Sequence, residues 1–186
     1  MKKVFFICLL ISLVSCKNVS ENSDTAIALD TAAIVIDTMS NYVPTIAKNN
    51  EWKYDTSEDK MTSNITKFAS ITSNESLSLD FPYDGINMGT LQLRKKNGAL
   101  NIMVLIDKGQ ISSDYDDQNV KVRFDDDKAI TFSYSKSADN SSDLIFIDNV
   151  TKFLSKLKKS KKTLIGLPLY QNGTQILEFK TENLKW

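Results

Sequence analysis

The sequence predicts a mainly β domain: an antiparallel β-sandwich or open barrel with one late amphipathic helix, preceded by an N-terminal helix. Three features predict it. Beyond Glu51, apolar and polar residues alternate with period two in segment after segment, the pattern of half-buried strands. Asn-Gly and Asp-rich turn signals fall between those segments. One stretch departs from the alternation: Val150, Phe153, Leu154 and Leu157 have the i, i+3, i+4, i+7 spacing of a helical stripe facing a core.

In chain order, Trp52 and Tyr54 open the β-rich region (residues 49–186) with strand spacing. Leu77, Leu79 and Phe81 alternate with Ser76, Ser78 and Asp80, which predicts a strand ended by the turn Phe81-Pro82-Tyr83-Asp84-Gly85. Leu91 and Leu93 alternate with Thr90, Gln92 and Arg94. Asn97-Gly98 then closes a hairpin onto 100–106, which is apolar except at Asn101 and so reads as a central strand covered on both faces. Val120, Val122 and Phe124 are followed, after a turn at Asp125-Asp126-Asp127, by Ile130, Phe132 and Tyr134. Leu144 to Ile147 is a second all-apolar strand. The helix follows, with Asp148 or Asn149 suited to cap it and Lys156, Lys158 and Lys159 suited to its C-terminal dipole. Gln171-Asn172-Gly173 turns the chain into a last strand, Thr174 to Thr181, with Leu177 and Phe179 inward.

The N-terminus has another grammar. Lys2 and Lys3 precede an apolar run from Val4 to Ile11, extended by Leu13 and Val14. As a helix, residues 4–14 reach roughly 16 Å at 1.5 Å per residue, about half a bilayer core, so the run reads as a signal peptide and not a permanent span. It ends in Leu13-Val14-Ser15-Cys16, which resembles the lipobox of bacterial lipoproteins. The resemblance implies removal of residues 1–15, a diacylglycerol on the Cys16 thiol and an acylated Cys16 amine. Two or three chains on one residue would hold the protein on a membrane, since each buried CH₂ contributes about 0.8 kcal/mol. Lys17 replaces the aspartate that marks inner-membrane retention, so the expected site is the outer membrane. Residues 16–24 form a polar tether. Within 25–48, the Ala-, Ile- and Val-rich stretch from Thr25 to Val43 is expected to be a helix ended near Pro44, although Ile34-Val35-Ile36 suits a strand equally.

Composition excludes several chemistries. The 186 residues carry 23 basic and 23 acidic side chains and no histidine, which removes histidine-based triads and histidine-ligated metal sites. Cys8 and Cys16 are the only cysteines, and Cys8 leaves with the signal. Loss of Lys2 and Lys3 leaves a slight acidic excess, unlike a nucleic-acid binder. No cofactor and no metal is expected. Asp114, Asp116 and Asp117 precede one strand and Asp125 to Asp127 follow it. Such a strand separates its ends by roughly 20 Å, so the clusters read as solvated turns and not one calcium site.

Candidate sites are few. Glu51, Glu58, Glu75, Glu178 and Glu182 are available for a two-carboxylate hydrolase, but no spacing selects a pair. Lys152, Lys156, Lys158, Lys159, Lys161 and Lys162 make a basic run suited to a solvated helix face, or to lipid headgroups. Arg94 and Arg123 are the only arginines, both on outward strand phases. Together with Trp52 they are the expected recognition surface, the competing roles being ion pairing for the arginines and a core or rim position for Trp52.

The order Trp52, Asp59-Lys60-Met61-Thr62, Leu91-Gln92-Leu93-Arg94, Lys108-Gly109-Gln110, Val120 to Asp125, the helix and Phe179 resembles the VasI-type envelope proteins associated with type VI secretion. That resemblance implies an extracytoplasmic β-rich protein without an established enzyme activity. The expected function is a lipid-anchored, non-enzymatic envelope binding or assembly module with an envelope protein partner. The alternatives are a carboxylate-based hydrolase, and an inhibitor or immunity protein acting through a loop at Ile111 to Asn119.

Overall fold

A computed structural model describes residues 50–112 and 118–186. The signal peptide, Cys16, the tether and the expected helix over 25–43 lie outside the described residues. Among the described residues nine strands are formed: β1 (Lys53–Glu58), β2 (Ile65–Thr72), β3 (Gly89–Lys96), β4 (Ala99–Ile106), β5 (Asn119–Phe124), β6 (Ile130–Lys136), β7 (Leu144–Ile147), β8 (Lys162–Leu169) and β9 (Gly173–Lys180). A helix, α1 (Val150–Leu157), connects β7 to β8. The strands make one open antiparallel sheet in the order β1-β2-β3-β4-β7-β6-β5-β8-β9.

Alternation puts one face of each strand into a shared core. Leu91, Leu93, Ile102, Val104, Ile145, Val122, Ile165, Leu177 and Phe179 are all buried in it. The two all-apolar stretches are the central strands β4 and β7, and they pair with each other. Asn97 (φ 49°) and Gly98 (φ 80°) supply the two left-handed residues that a two-residue hairpin needs between β3 and β4. Asp125 (φ 48°) turns β5 into β6, and its carboxylate accepts the backbone N–H groups of Lys161 and Lys162 at 2.8 and 2.9 Å. That bond ties the β5–β6 turn to the start of β8.

The edges of the sheet approach without pairing. The Asn74 N–H donates to the Glu178 carbonyl at 2.8 Å, and Trp52 Nε1–H to the Thr181 carbonyl at 3.2 Å. Behind them Ser160, Thr163 and Thr181, all buried, join their hydroxyls at 3.0–3.2 Å and lock the end of α1 to β8 and β9. The α1 stripe enters the core through Phe153 and Leu157. The Phe153 ring meets Phe124 and Phe132 edge-on, at centroid distances of 5.3 and 5.2 Å.

Two expectations need correction, and two strands were missed. Residues 76–81 are not a strand: Leu77 and Leu79 are buried as the alternation requires, but the segment is an irregular arm held by the Leu77 N–H to the Asn87 carbonyl (2.7 Å), and Phe81 points outward. Asn149 stands at the start of α1 without capping it. Its backbone is left-handed (φ 49°, ψ 50°) where a capping residue is extended, and the Asp148 carboxylate accepts from the Ser135 hydroxyl. Strands β2 and β8 were not anticipated. In β8 the Gly166 and Pro168 interruptions hide a central strand that pairs β5 on one side and β9 on the other.

Candidate functional site

The three expected recognition residues are not brought together. Trp52 is only 9% exposed, its ring among the core residues and its indole N–H satisfied by Thr181, so it serves as a rim aromatic and presents no surface. Arg94 lies on the outer face of β3. It donates Nη2–H to Asn101 Oδ1 at 3.1 Å and rests 5.6 Å from the Phe146 ring centroid. Arg123 projects from β5 and pairs with Asp126 at 3.2 Å, within the adjoining turn. Between β3 and β5 the sheet order inserts β4, β7 and β6, so the two strands are four steps apart, roughly 19 Å measured along the sheet at about 4.8 Å per step.

Other charged candidates are engaged locally. Lys156 reaches Asp127 at 3.7 Å and lies 5.9 Å from the Phe124 ring, while Lys152 lies 5.4 Å from Phe132. These lysine stems cover the aromatic cluster while their ammonium groups stay in water. Glu178 accepts from Asn74 Nδ2 at 2.7 Å. The first two residues of the expected inhibitory loop, Ile111 and Ser112, are built into the domain. The Ile111 N–H donates to the Ser142 carbonyl (2.7 Å) and the Ser112 N–H to the Pro168 carbonyl (2.9 Å). Asp114, Asp116 and Asp117 lie outside the described residues.

That lacing builds the feature that sequence reasoning missed. Residues 110–112 run between the β6–β7 loop and the end of β8. They are fixed further by the Tyr170 N–H on the Gln110 carbonyl (2.8 Å) and by the Tyr134 hydroxyl on the Ser112 carbonyl (2.9 Å). Beside this segment opens a cleft of about 310 Å³. Its walls carry Gln110, Lys136, Asn140, Ser141, Ser142 and Tyr170. Ile111, Leu144 and Ile145 form its apolar part. Two other hollows, against α1 and beside Trp186, are more open.

The β6–β7 loop holds its shape through Asp139. The Ser137 hydroxyl, the Ser141 hydroxyl and the Ser141 N–H all donate to its carboxylate and lower its pKa to about 2. Across the same end, the Asp80 N–H donates to Asn172 Oδ1 at 2.9 Å. This bond joins the arm that bears Phe81 to the β8–β9 turn that bears Tyr170. Both rings are exposed, at 88% and 58%. The cleft therefore combines amides and hydroxyls that donate and accept, one ammonium, apolar residues and the exposed Tyr170. It offers hydrogen bonding and stacking to a small polar ligand.

No family model, curated protein or solved structure matches this chain.

Proposed function

We propose that the chain is a lipid-anchored protein of the bacterial cell envelope whose β domain acts as a non-enzymatic recognition module. The anchor is the acylated Cys16, carried by the Leu13-Val14-Ser15-Cys16 pattern, and the outer membrane is the proposed site because Lys17 stands where the inner-membrane retention aspartate would be. The observation that carries the recognition role is the cleft at the loop end. Three segments distant in sequence are laced there by backbone hydrogen bonds around a polar hollow that Tyr170 also lines. Its wall groups are amide, hydroxyl, ammonium and phenol, which hold a ligand in place. A binding module needs those groups, whereas the carboxylate-pair hydrolase needs two facing acids.

Fractionation tests the anchor. Wild-type protein is expected in the membrane pellet with a lipid-sized mass increment on its N-terminal peptide, and Cys16→Ala in the soluble fraction. Membrane retention of Cys16→Ala overturns the anchor. For the recognition end, a photo-crosslinking residue at position 170 is expected to capture an envelope component in living cells, and one at exposed Thr131 on the outer face of the sheet is not. Equal capture at both positions overturns the assignment of the loop end.

A further inference from the structure

We propose that the loop-end cleft binds an acidic saccharide, a sugar unit bearing a carboxylate or phosphate substituent; this deepens the recognition reading above and rests on it. Four observations converge. The volume of about 310 Å³ lies at the small end of the range for ligand sites, roughly 300–1,000 Å³, and suits one compact ring with its substituents better than a peptide segment. Asn140, Gln110, Ser141 and Ser142 pair donors with acceptors, and a sugar hydroxyl is itself both donor and acceptor. Tyr170, on the cleft wall and more than half exposed, presents a flat apolar face. The C–H face of a pyranose stacks on such a ring while the phenol remains hydrated. Half-buried Leu144 adds to that apolar contact, with Ile111 and Ile145 buried behind it.

Lys136 sets the charge preference. It lines the cleft, is exposed, and forms no ion pair among the described residues. Its ammonium is the one formal charge on the cleft wall, so a charge-assisted bond to an anionic substituent is the strongest single polar contact the site can make. Asp139 forms no ion pair with it; its carboxylate accepts hydrogen bonds from the serines of its own loop.

The test uses the full chain in detergent micelles on an array of oligosaccharides containing uronic acid, sialic acid or phosphorylated sugars, with neutral counterparts. The expected result is binding to at least one acidic member, at least tenfold above its neutral counterpart. Tyr170→Ala should weaken binding at least tenfold. Lys136→Gln should remove the preference for acidic members while neutral binding persists. Circular dichroism should show both variants folded, since each side chain is exposed. Binding to no member, or only to neutral members, overturns the proposal, as does wild-type binding by both variants. Crosslinking at position 170 separates its failure from that of the broader reading. Capture of a protein there, with no array binding, refutes the saccharide and keeps the loop end as the recognition face. Capture of nothing, with no array binding, refutes both.

Discussion

Replacing Gly89 with alanine tests whether β3 and β9 face each other as closely as the structure places them. Gly89 begins β3 and is buried. A Cβ built there lies 2.5 and 2.7 Å from the two Leu177 δ-methyls and 3.1 Å from Cγ, inside van der Waals contact. Leu177 is 1% exposed and surrounded by core, so it has no free direction in which to rotate. Overpacking of a filled core costs about 1–3 kcal/mol. Alanine also narrows the unfolded ensemble, which returns about 0.4–1 kcal/mol where the backbone suits it. The net expectation for Gly89→Ala is a loss of about 1–2 kcal/mol, read as a lower urea midpoint at unchanged slope. Leu177→Val alone should cost on the order of 1 kcal/mol, by analogy with loss of a buried methylene. Because valine lacks the δ-methyls that clash, the double variant should be more stable than the sum of the two losses by about 1 kcal/mol, the coupling expected of residues in contact. Gly89→Ala within about 0.5 kcal/mol of wild type, or strict additivity in the double variant, would refute the close approach of these strands.

Further predictions concern the buried polar clamp, the helix and the loop. Asn87 is fully buried and grips Lys108 through both ends of its amide, Nδ2–H to the carbonyl at 2.8 Å and Oδ1 from the N–H at 3.1 Å. Asn87→Ala removes both bonds, and at about 1–3 kcal/mol for a buried group left unpaired, with the exposed Lys108 backbone partly re-satisfied by water, it should lower stability by about 1–3 kcal/mol in urea unfolding. Phe153→Ala removes the hub of three rings and should cost about 3–5 kcal/mol, with cooperative unfolding at a lower midpoint; a shift of only a few tenths would refute the packing of α1. The Asp139 carboxyl should titrate near pH 2 in the folded protein, against an ordinary value of 3.8. Its folded pKa is depressed, so the stabilisation it contributes is present above pH 3.8 and disappears as pH falls through about 2. Ser141→Ala should raise that pKa, measurable by NMR titration; an unchanged value would show that Ser141 does not hold the loop.

Much of the β pattern was legible because it is local. The inward residues of β3, β5, β6 and β9, the Asn97-Gly98 hairpin and the bounds of α1 follow from period, turn residues and helical spacing. Residues 76–81 show where locality fails. Their alternation reports burial correctly at Leu77 and Leu79, yet a strand also needs a neighbour along its length, and this arm has only isolated bonds. In β2, which lies between β1 and β3, Ile65-Thr66-Lys67-Phe68-Ala69-Ser70 sets an exposed Ile65 and Lys67 in phase with buried Ala69 and a half-buried Phe68 on the opposite phase, so no clean apolar alternation marks it. Trp52 illustrates the same limit at a single residue: its type suits a binding platform or a rim equally, and the partner that decides, the Thr181 carbonyl, lies 129 residues away.

The candidate cleft was not legible at all. Its polar wall comes from the segment after β4, the end of β6, the β6–β7 loop and the β8–β9 turn, none of which carries a motif. By itself the sequence determined an alternating antiparallel architecture, the absence of histidine chemistry, and an N-terminal pattern that resembles a lipoprotein signal. Tertiary structure alone decided the strand order, the separation of Arg94 from Arg123, and the meeting of Tyr170, Lys136 and Asn140 around one hollow. The reason is that side-chain period is fixed by neighbours along the chain, whereas proximity between loops is fixed by which strands pair, and that pairing is settled only when every inward face competes for the same core.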